Sequence, residues 1–366
     1  MIFDKRLLHD LNKTILLIMF ILCIGGLFIL GSATQGKDLP FVESYVFRQI
    51  NWVALGTILL ILIINISYQK FIDISYGLYA INIILLTLVL VLGRERLGAQ
   101  RWFTIGNFTF QPSEFIKISF ILAQARFLGS RKSSLEDPKG MLAPLILLGI
   151  PFVLVLAQPD LGTALLLVPI FFAMMFVAGG RVKHLVILGI LGLISLPFFW
   201  QILKDYQKQR LLVFLNPNVD PLGAGYTIIQ SKIAVGSGGL IGKGWLAGTQ
   251  NQLNFLPERH TDFIFSVIGE EWGLFGALIL ILLYYLIVRR GFDIAYSTND
   301  RYGKLVAVGI VVLLGLQVVI NIAMTIGLMP VVGIPLPLVS YGGSSLLTTF
   351  IAIGLLLNVG MRRSRF

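Results

Sequence analysis

Lys304-Leu-Val-Ala-Val-Gly-Ile-Val-Val-Leu-Leu-Gly-Leu-Gln-Val-Val-Ile-Asn-Ile-Ala-Met-Thr-Ile-Gly-Leu328 carries no charged residue after its opening lysine. A bilayer core about 30 Å thick is crossed by about 20 mostly apolar residues in helical form. This stretch supplies them, without the alternation of a membrane β-strand. Working outward, nine further apolar runs occupy 14–33, 48–66, 71–92, 112–127, 141–157, 162–179, 184–201, 263–288 and 343–360. The pattern predicts an all-α polytopic membrane protein of about ten spans, folded as one domain over 1–366. The runs 112–127 and 141–157 are short for a span, and nothing repeats at a fixed period.

Composition agrees. Of 366 residues, 56% are hydrophobic and 13% charged, whereas a soluble domain carries about a quarter charged residues. Mean hydropathy is +0.86. A soluble enzyme and a disordered chain are excluded. So is a nucleic-acid binder, because the net charge of +11 is scattered between apolar runs rather than gathered on one face. The first run is longer than a signal-peptide core of about 7–15 residues and reads as an uncleaved span. Cys23 is the only cysteine, so no intrachain disulfide forms. His9, His184 and His260 lie far apart, and no zinc-ligand spacing exists.

Basic residues set the orientation. With both termini cytoplasmic and ten alternating spans, 17 of the 29 Lys and Arg residues and 7 of the 18 acidic residues fall inside, giving +10 inside and +1 outside. The positive-inside rule selects this arrangement. The outer face then holds two long connections, 93–111 and 202–262. A connection as long as the second is usually functional or disordered. Its apolar stretches Leu211–Leu215 and Ile228–Val235 predict an ordered segment folded back on the membrane surface.

Within 202–262, Gln230-Ser-Lys-Ile-Ala-Val-Gly-Ser-Gly-Gly-Leu-Ile-Gly-Lys-Gly244 combines glycines with Lys232 and Lys243. Backbone amides beside lysine suit a phosphate; a glycine-rich loop or broken re-entrant helix fits the same residues. The loop ends at Pro257-Glu-Arg-His-Thr-Asp-Phe-Ile-Phe265, with a helix beginning near Thr261. Ser266, Gly269, Gly273 and Gly276 then lie within about 40° of Asp262 on that helix. Such a small-residue stripe admits a closely packed neighbour or keeps a face open for a lipid chain. Asp262 is either a catalytic carboxylate or the helix N-cap. Glu270 and Glu271, about 12 Å further down, need partners at that depth and read as a structural network with a Lys or Arg of another helix. Glu114 and Lys117, three apart on one helix face, form a functional pair or a bundle salt bridge. Arg94, Arg96 and Arg101-Trp102 have the look of an interfacial anchor. Arg48 and Arg210 add outer positive charge suited to an anionic headgroup or to ordinary surface pairing.

Four segments together resemble the SEDS family (shape, elongation, division and sporulation). They are Gln111-Pro-Ser-Glu114, Gln158-Pro-Asp-Leu-Gly-Thr163, Pro257–Phe265 and the long run Asn321–Ser345, which ends Val339-Ser-Tyr-Gly-Gly-Ser-Ser345. They come in the family's order, cover nearly the whole chain and agree with ten spans. Gly248–Pro257 is closer to the rod-shape branch than to the division branch. The resemblance implies an inverting peptidoglycan glycosyltransferase of the bacterial cytoplasmic membrane, working on its outer face for cell elongation. It implies lipid II as substrate and undecaprenyl pyrophosphate as leaving group. It also implies a class B penicillin-binding protein as partner, within a wider elongation complex. On the family's pattern Asp262 is the essential carboxylate, with Glu114 and Lys117 in the same cavity.

The chemistry asks for a base near the acceptor hydroxyl and cations near the departing pyrophosphate. Asp262 is expected to be the base, although a helix N-terminus would hold it charged and weakly basic. Arg48, Arg101, Arg210, Lys117, Lys232 and Lys243 are candidates for pyrophosphate or headgroup contacts. No residue cage for a metal is visible; a divalent cation, Mg2+ or Mn2+, bridging carboxylate and pyrophosphate is the one cofactor envisaged. A lipid II flippase and a non-enzymatic cell-wall scaffold are the alternatives. A transporter site belongs near the midplane between repeats, whereas here the polar motifs gather at the outer face.

Overall fold

The computed structural model describes residues 10–35, 41–96, 99–105, 108–130, 138–221 and 223–363. Every apolar run read above folds as helix. In chain order the helices are α1 Lys13–Ala33, α2 Tyr45–Asn65, α3 Tyr68–Asp73, α4 Ser75–Leu92, α5 Pro112–Ser130, α6 Leu142–Ala157, α7 Leu161–Val177, α8 Val182–Ile194 and α9 Leu196–Ile202. There follow α10 Asp205–Leu215, α11 Ala224–Ser237, α12 Thr249–Gln252, α13 Ile264–Ser297, α14 Arg301–Thr325 and α15 Gly343–Arg362. Among the described residues seven stretches are long and apolar enough to cross a membrane, α8 and α9 together forming one; α6 and α7 are shorter apolar helices. The protein is an all-α polytopic membrane protein.

Local chemistry explains the helix starts. The Asn12 side chain accepts from Ile15 N, Ser44 from Phe47 N, Asp160 from Thr163 N and Asp300 from Gly303 N. Each satisfies an otherwise orphaned donor of a first turn. Three runs depart from single spans. The run 71–92 is broken at Ile74 into α3 and α4. The run 184–201 is broken at Ser195, where Pro197 lacks the N–H that would continue α8. The run 263–288 extends to Ser297 and is interrupted at Gly273, whose φ of 63° and ψ of −159° are non-helical.

Helices α5, α14 and α15 form the centre of the bundle, with most of their residues buried. That is why α5 tolerates Glu114, Lys117 and Arg126: its polar groups face protein rather than lipid. In α8, by contrast, Leu185 is the only buried residue. At the end away from Asp262, Tyr68 Oη donates to Asp300 (2.9 Å) and Arg362 to Asn358 Oδ1 (2.6 Å), and Asn358 Oδ1 accepts from Tyr68 N (3.1 Å). These bonds tie α3, α14 and α15 together.

The described residues of the connection 93–111 are more ordered than a loop. They form an antiparallel sheet, β1 Arg94–Arg96, β2 Ala99–Ile105 and β3 Phe108–Phe110, in the order β1-β2-β3. Phe103 pairs with Phe110, whose ring stacks on Phe115 of α5 at 4.8 Å. The connection 202–262 carries α10, α11 and α12, as the expectation of an ordered segment required.

The glycine-rich segment finds its reason here. Lys243 N and Gly244 N donate to the carbonyls of Glu270 and Glu271 (3.0 Å each), and Leu274 N and Phe275 N donate to Gly239 O and Leu240 O (3.0 and 3.1 Å). The loop is thus laid backbone to backbone against the break in α13. A Cβ on Gly238 would stand 1.9 Å from the Gly269 carbonyl oxygen, and one on Gly242 2.2 Å from that of Glu271. Such close approach requires glycine.

Candidate active site

Asp262 lies in the turn before α13, which starts at Ile264. The N-cap position is Phe263, and no side chain caps it. The N-cap reading of Asp262 and a helix start near Thr261 are therefore corrected. The turn is held from behind by the segment 331–342. Asn321 Nδ2 donates to Asp262 O (2.9 Å) and to Ile334 O (2.7 Å), Ser340 Oγ donates to Thr261 O (2.6 Å), and Tyr341 N donates to His260 O (2.9 Å). Gly333, at φ +72°, passes so close that a Cβ there would lie 3.3 Å from Asp262 Oδ2. The aspartate keeps some contact with solvent although protein surrounds it.

Two arginines lie within electrostatic reach of Asp262. Arg210 of α10 donates to Val331 O (3.2 Å) and lies over the Tyr206 ring at 5.7 Å. Arg101 of β2 donates from Nε to Gln158 O (2.9 Å) and from its terminal nitrogen to Pro159 O, and lies 3.8 Å from Asp160. Tyr206 Oη also donates to Pro159 O (2.8 Å). Together with Val331 they line a narrow cleft that opens to solvent. Among the described residues no contact ion pair joins Asp262 to either arginine; they act on it through space.

Burial pushes the Asp262 carboxyl from its ordinary 3.8 up to about 6; Glu258 adds to this, and Arg210 and Arg101 oppose it. Desolvation lowers the Arg210 guanidinium, with Asp262 working the other way. The expected weakly basic aspartate is thus replaced by one more basic than usual, because loss of water outweighs the two cations.

The sequence-named residues divide into separate places. Asp262, Arg101 and Arg210 are brought together. Arg101 is a cleft residue rather than an interfacial anchor. Glu114 and Lys117 form an ion pair (2.8 Å) inside the bundle, 4% and 1% exposed, with Thr348 Oγ1 donating to Glu114 (3.2 Å). Arg48 is exposed on α2. Lys232 is exposed on α11 and passes over Gly327. Lys243 pairs with the buried Glu270 (2.8 Å) and donates to Thr249 Oγ1 (2.9 Å). The expected partner of Glu270 thus comes from the glycine-rich loop rather than from a helix, while Glu271 has the neutral partners Ser32 and Asn251. The small-residue stripe takes α11 as its neighbour: Ser231 and Ser266 share a hydrogen bond (2.7 Å), and Gly269 faces Val235.

Sequence reading missed the hub role of Asp160. Its side chain accepts from Thr163 N (3.2 Å), Thr163 Oγ1 (3.0 Å), Ser113 Oγ (3.1 Å) and Gln111 Nε2 (3.4 Å). The motifs 111–114 and 158–163 are therefore one structural unit, with Arg101 on it. Asn321 was also unassigned; its signal was an amide, one of two with Gln317, within the apolar run 304–328. Among the described residues no group of three His, Cys, Asp or Glu could hold a metal ion.

A half-buried carboxylate with two arginines near it stands on a polytopic helical membrane scaffold. The cell cycle protein family FtsW/RodA/SpoVE matches residues 12–365. The Escherichia coli K12 peptidoglycan glycosyltransferase MrdB is 43% identical over 354 residues, covering 96% of this chain and 94% of that protein. A solved structure of a peptidoglycan synthase complex that coordinates polymerization and crosslinking includes a chain superposing with a TM-score of 0.83 at 36% identity, over 97% of this chain and 99% of that one. The crystal structure of Thermus thermophilus rod shape determining protein RodA superposes with a TM-score of 0.72 at 32% identity, over 96% and 97%. The chain belongs to the FtsW/RodA/SpoVE family, which is the SEDS family. Its activity is that of a peptidoglycan glycosyltransferase of the RodA type, serving cell elongation.

Proposed function

We propose that the protein joins the disaccharide-pentapeptide units of lipid II into glycan strands with Asp262 as general base. The observation that carries this is that Asp262 sits against Gly333, next to the cleft-lining Val331 and Val332, within electrostatic reach of the cleft's Arg101 and Arg210. The acceptor 4-hydroxyl attacks the donor anomeric carbon. A new C–O bond forms as the bond from that carbon to the pyrophosphate oxygen breaks. The hydroxyl proton passes to the Asp262 carboxylate, and the bonding electron pair leaves with undecaprenyl pyrophosphate. Attack opposite an α-linked leaving group gives the β-1,4 product.

A carboxylate raised to about 6 is a better base than an ordinary one and remains ionised near neutrality. Arg101 and Arg210 meet the charge that develops on the phosphate; their side chains are fixed by backbone carbonyls, so little reorganisation is needed during reaction. The distribution of Lys and Arg supports a position for this end of the bundle on the outer face of a bacterial cytoplasmic membrane. A class B penicillin-binding protein is the proposed partner, which the synthase complex among the similar structures supports. The donor set fits a resident metal poorly. Asp160 has its oxygens engaged by Ser113, Thr163 and Gln111, so a divalent cation would rest on Asp262 and substrate oxygens alone. No step is assigned to one.

The test uses purified protein, fluorescent lipid II and a gel that resolves glycan strands, with and without a class B penicillin-binding protein. Wild type is expected to give polymer and Asp262→Ala none. Polymer from Asp262→Ala at the wild-type rate would overturn the base assignment.

A further inference from the structure

The residues around Asp262 are ordered along one strip of chain. Segment 331–341 takes Arg210 at Val331, passes Asp262 at Gly333, holds Thr261 through Ser340, and ends on His260 at Tyr341. The first end is cationic and the last aromatic. Tyr45, the first residue of α2, sets its ring 4.7 Å from His260 and 4.9 Å from Tyr341, and the latter two rings are 6.1 Å apart. All three side chains are partly open to solvent. Their backbone is held in place: Gln49 donates to Ser340 O (3.1 Å), Tyr341 N binds His260 O, and the Ser44 side chain caps α2.

Resting on the glycosyltransfer reading, we infer that Tyr45, His260 and Tyr341 form the subsite for the acceptor sugar, on the side of Asp262 opposite the pyrophosphate. Aromatic rings offer an apolar face to the C–H face of a hexose and polar edges to its hydroxyls. His260 stands two residues from Asp262, at most about 7 Å of chain. The Tyr45 ring packs edge to face on the other two, so a hexosamine would rest against the open face of one of the rings, within a sugar's length of the carboxylate. Arg101 and Arg210, at the other end, face the departing phosphate. The contacts along segment 331–341 give the site a direction: acceptor at the aromatic end, base in the middle, leaving group at the cationic end. Substrate held in line between nucleophile and leaving group gains the benefit of orientation.

The test separates the two ends. Full-length protein in nanodiscs is titrated with two probes, a lipid-free glycan strand of alternating N-acetylglucosamine and N-acetylmuramic acid, and undecaprenyl pyrophosphate. Binding is read by saturation-transfer NMR for the first and by competition with fluorescent lipid II for the second. Tyr341→Ala and Tyr45→Ala are expected to weaken the glycan roughly three- to tenfold and leave undecaprenyl pyrophosphate unchanged. Arg210→Ala is expected to do the reverse. Tyr341→Phe, which keeps the ring face, is expected to bind glycan within about twofold of wild type, and guards against loss through misfolding. A lipid-free disaccharide-pentapeptide run alongside distinguishes an incoming monomer from a strand end as the source of the sugar.

Unchanged glycan affinity in both alanine variants, equal loss of both probes, or no glycan binding by wild type would each overturn the assignment. Polymerisation by wild type and Asp262→Asn is measured on the same preparations. A failed subsite therefore leaves the glycosyltransfer reading standing, whereas polymer from Asp262→Asn strikes at that reading itself.

Discussion

Substituting alanine at Gly333 tests whether the 331–342 segment positions the base. Gly333 adopts φ +72°, and an added Cβ would lie 3.3 Å from Asp262 Oδ2. Left-handed backbone costs an L-residue about 1–2 kcal/mol. That strain lowers stability but touches no chemistry. The contact does, because a 3.3 Å approach obliges the carboxylate to yield by a few tenths of an ångström. A displacement of 1 Å at a reacting group costs about a hundredfold, so the smaller shift is expected to cost roughly tenfold in kcat, with KM for lipid II near wild type. Gly179, at φ +92° with nothing within 4 Å of its Cβ position, supplies the control. Gly179→Ala should lose similar thermal stability and keep its kcat. Initial rates on fluorescent lipid II and melting curves of both variants decide the matter. A wild-type kcat for Gly333→Ala, or an equal loss in Gly179→Ala, would refute the reasoning.

The raised Asp262 carboxyl sets a pH dependence. The base works ionised, so kcat/KM should fall as pH drops through about 6. Arg210→Gln removes a charge that lowers that value and should move the acid limb upward; a limb near 4 in wild type counts against the assignment. For stability the sign is opposite: a raised carboxyl favours the protonated fold, so its contribution is full below 3.8 and lost as pH rises through about 6. Lys117→Met strands the buried Glu114 carboxylate and should cost about 3–5 kcal/mol in chemical unfolding, most of it regained in the double variant with Glu114→Gln. If the double variant is no more stable than the single one, the pair is not what Lys117 provides. Lys243→Met leaves Glu270 without its cation and should destabilise by roughly 3 kcal/mol, since the lysine itself keeps partial contact with water. An unchanged melting temperature would show that Thr249 and Gln250 alone satisfy Glu270.

Much of this protein is determined by its sequence alone. The ten apolar runs had to become helices, because a lipid core offers nothing else to bond their backbones. Pro197, Asn12, Ser44 and Asp160 marked where helices begin or break, and these signals are local. The motif 257–265 pointed to Asp262 for the same reason: residue type and order are carried along the chain. What the tertiary structure decided is everything that depends on distance across the bundle. Only packing shows that Glu114 and Lys117 lie buried against Thr348, that the glycine-rich loop is laid on the break in α13 at Gly273, and that Arg101 and Arg210 share a cleft within electrostatic reach of Asp262. Its basicity is likewise unreadable from position in a helix, because the shift comes from water excluded by segments far away in sequence. Hydrophobic periodicity specifies which residues leave water; which of them then meet is set by the fit of all the helices together.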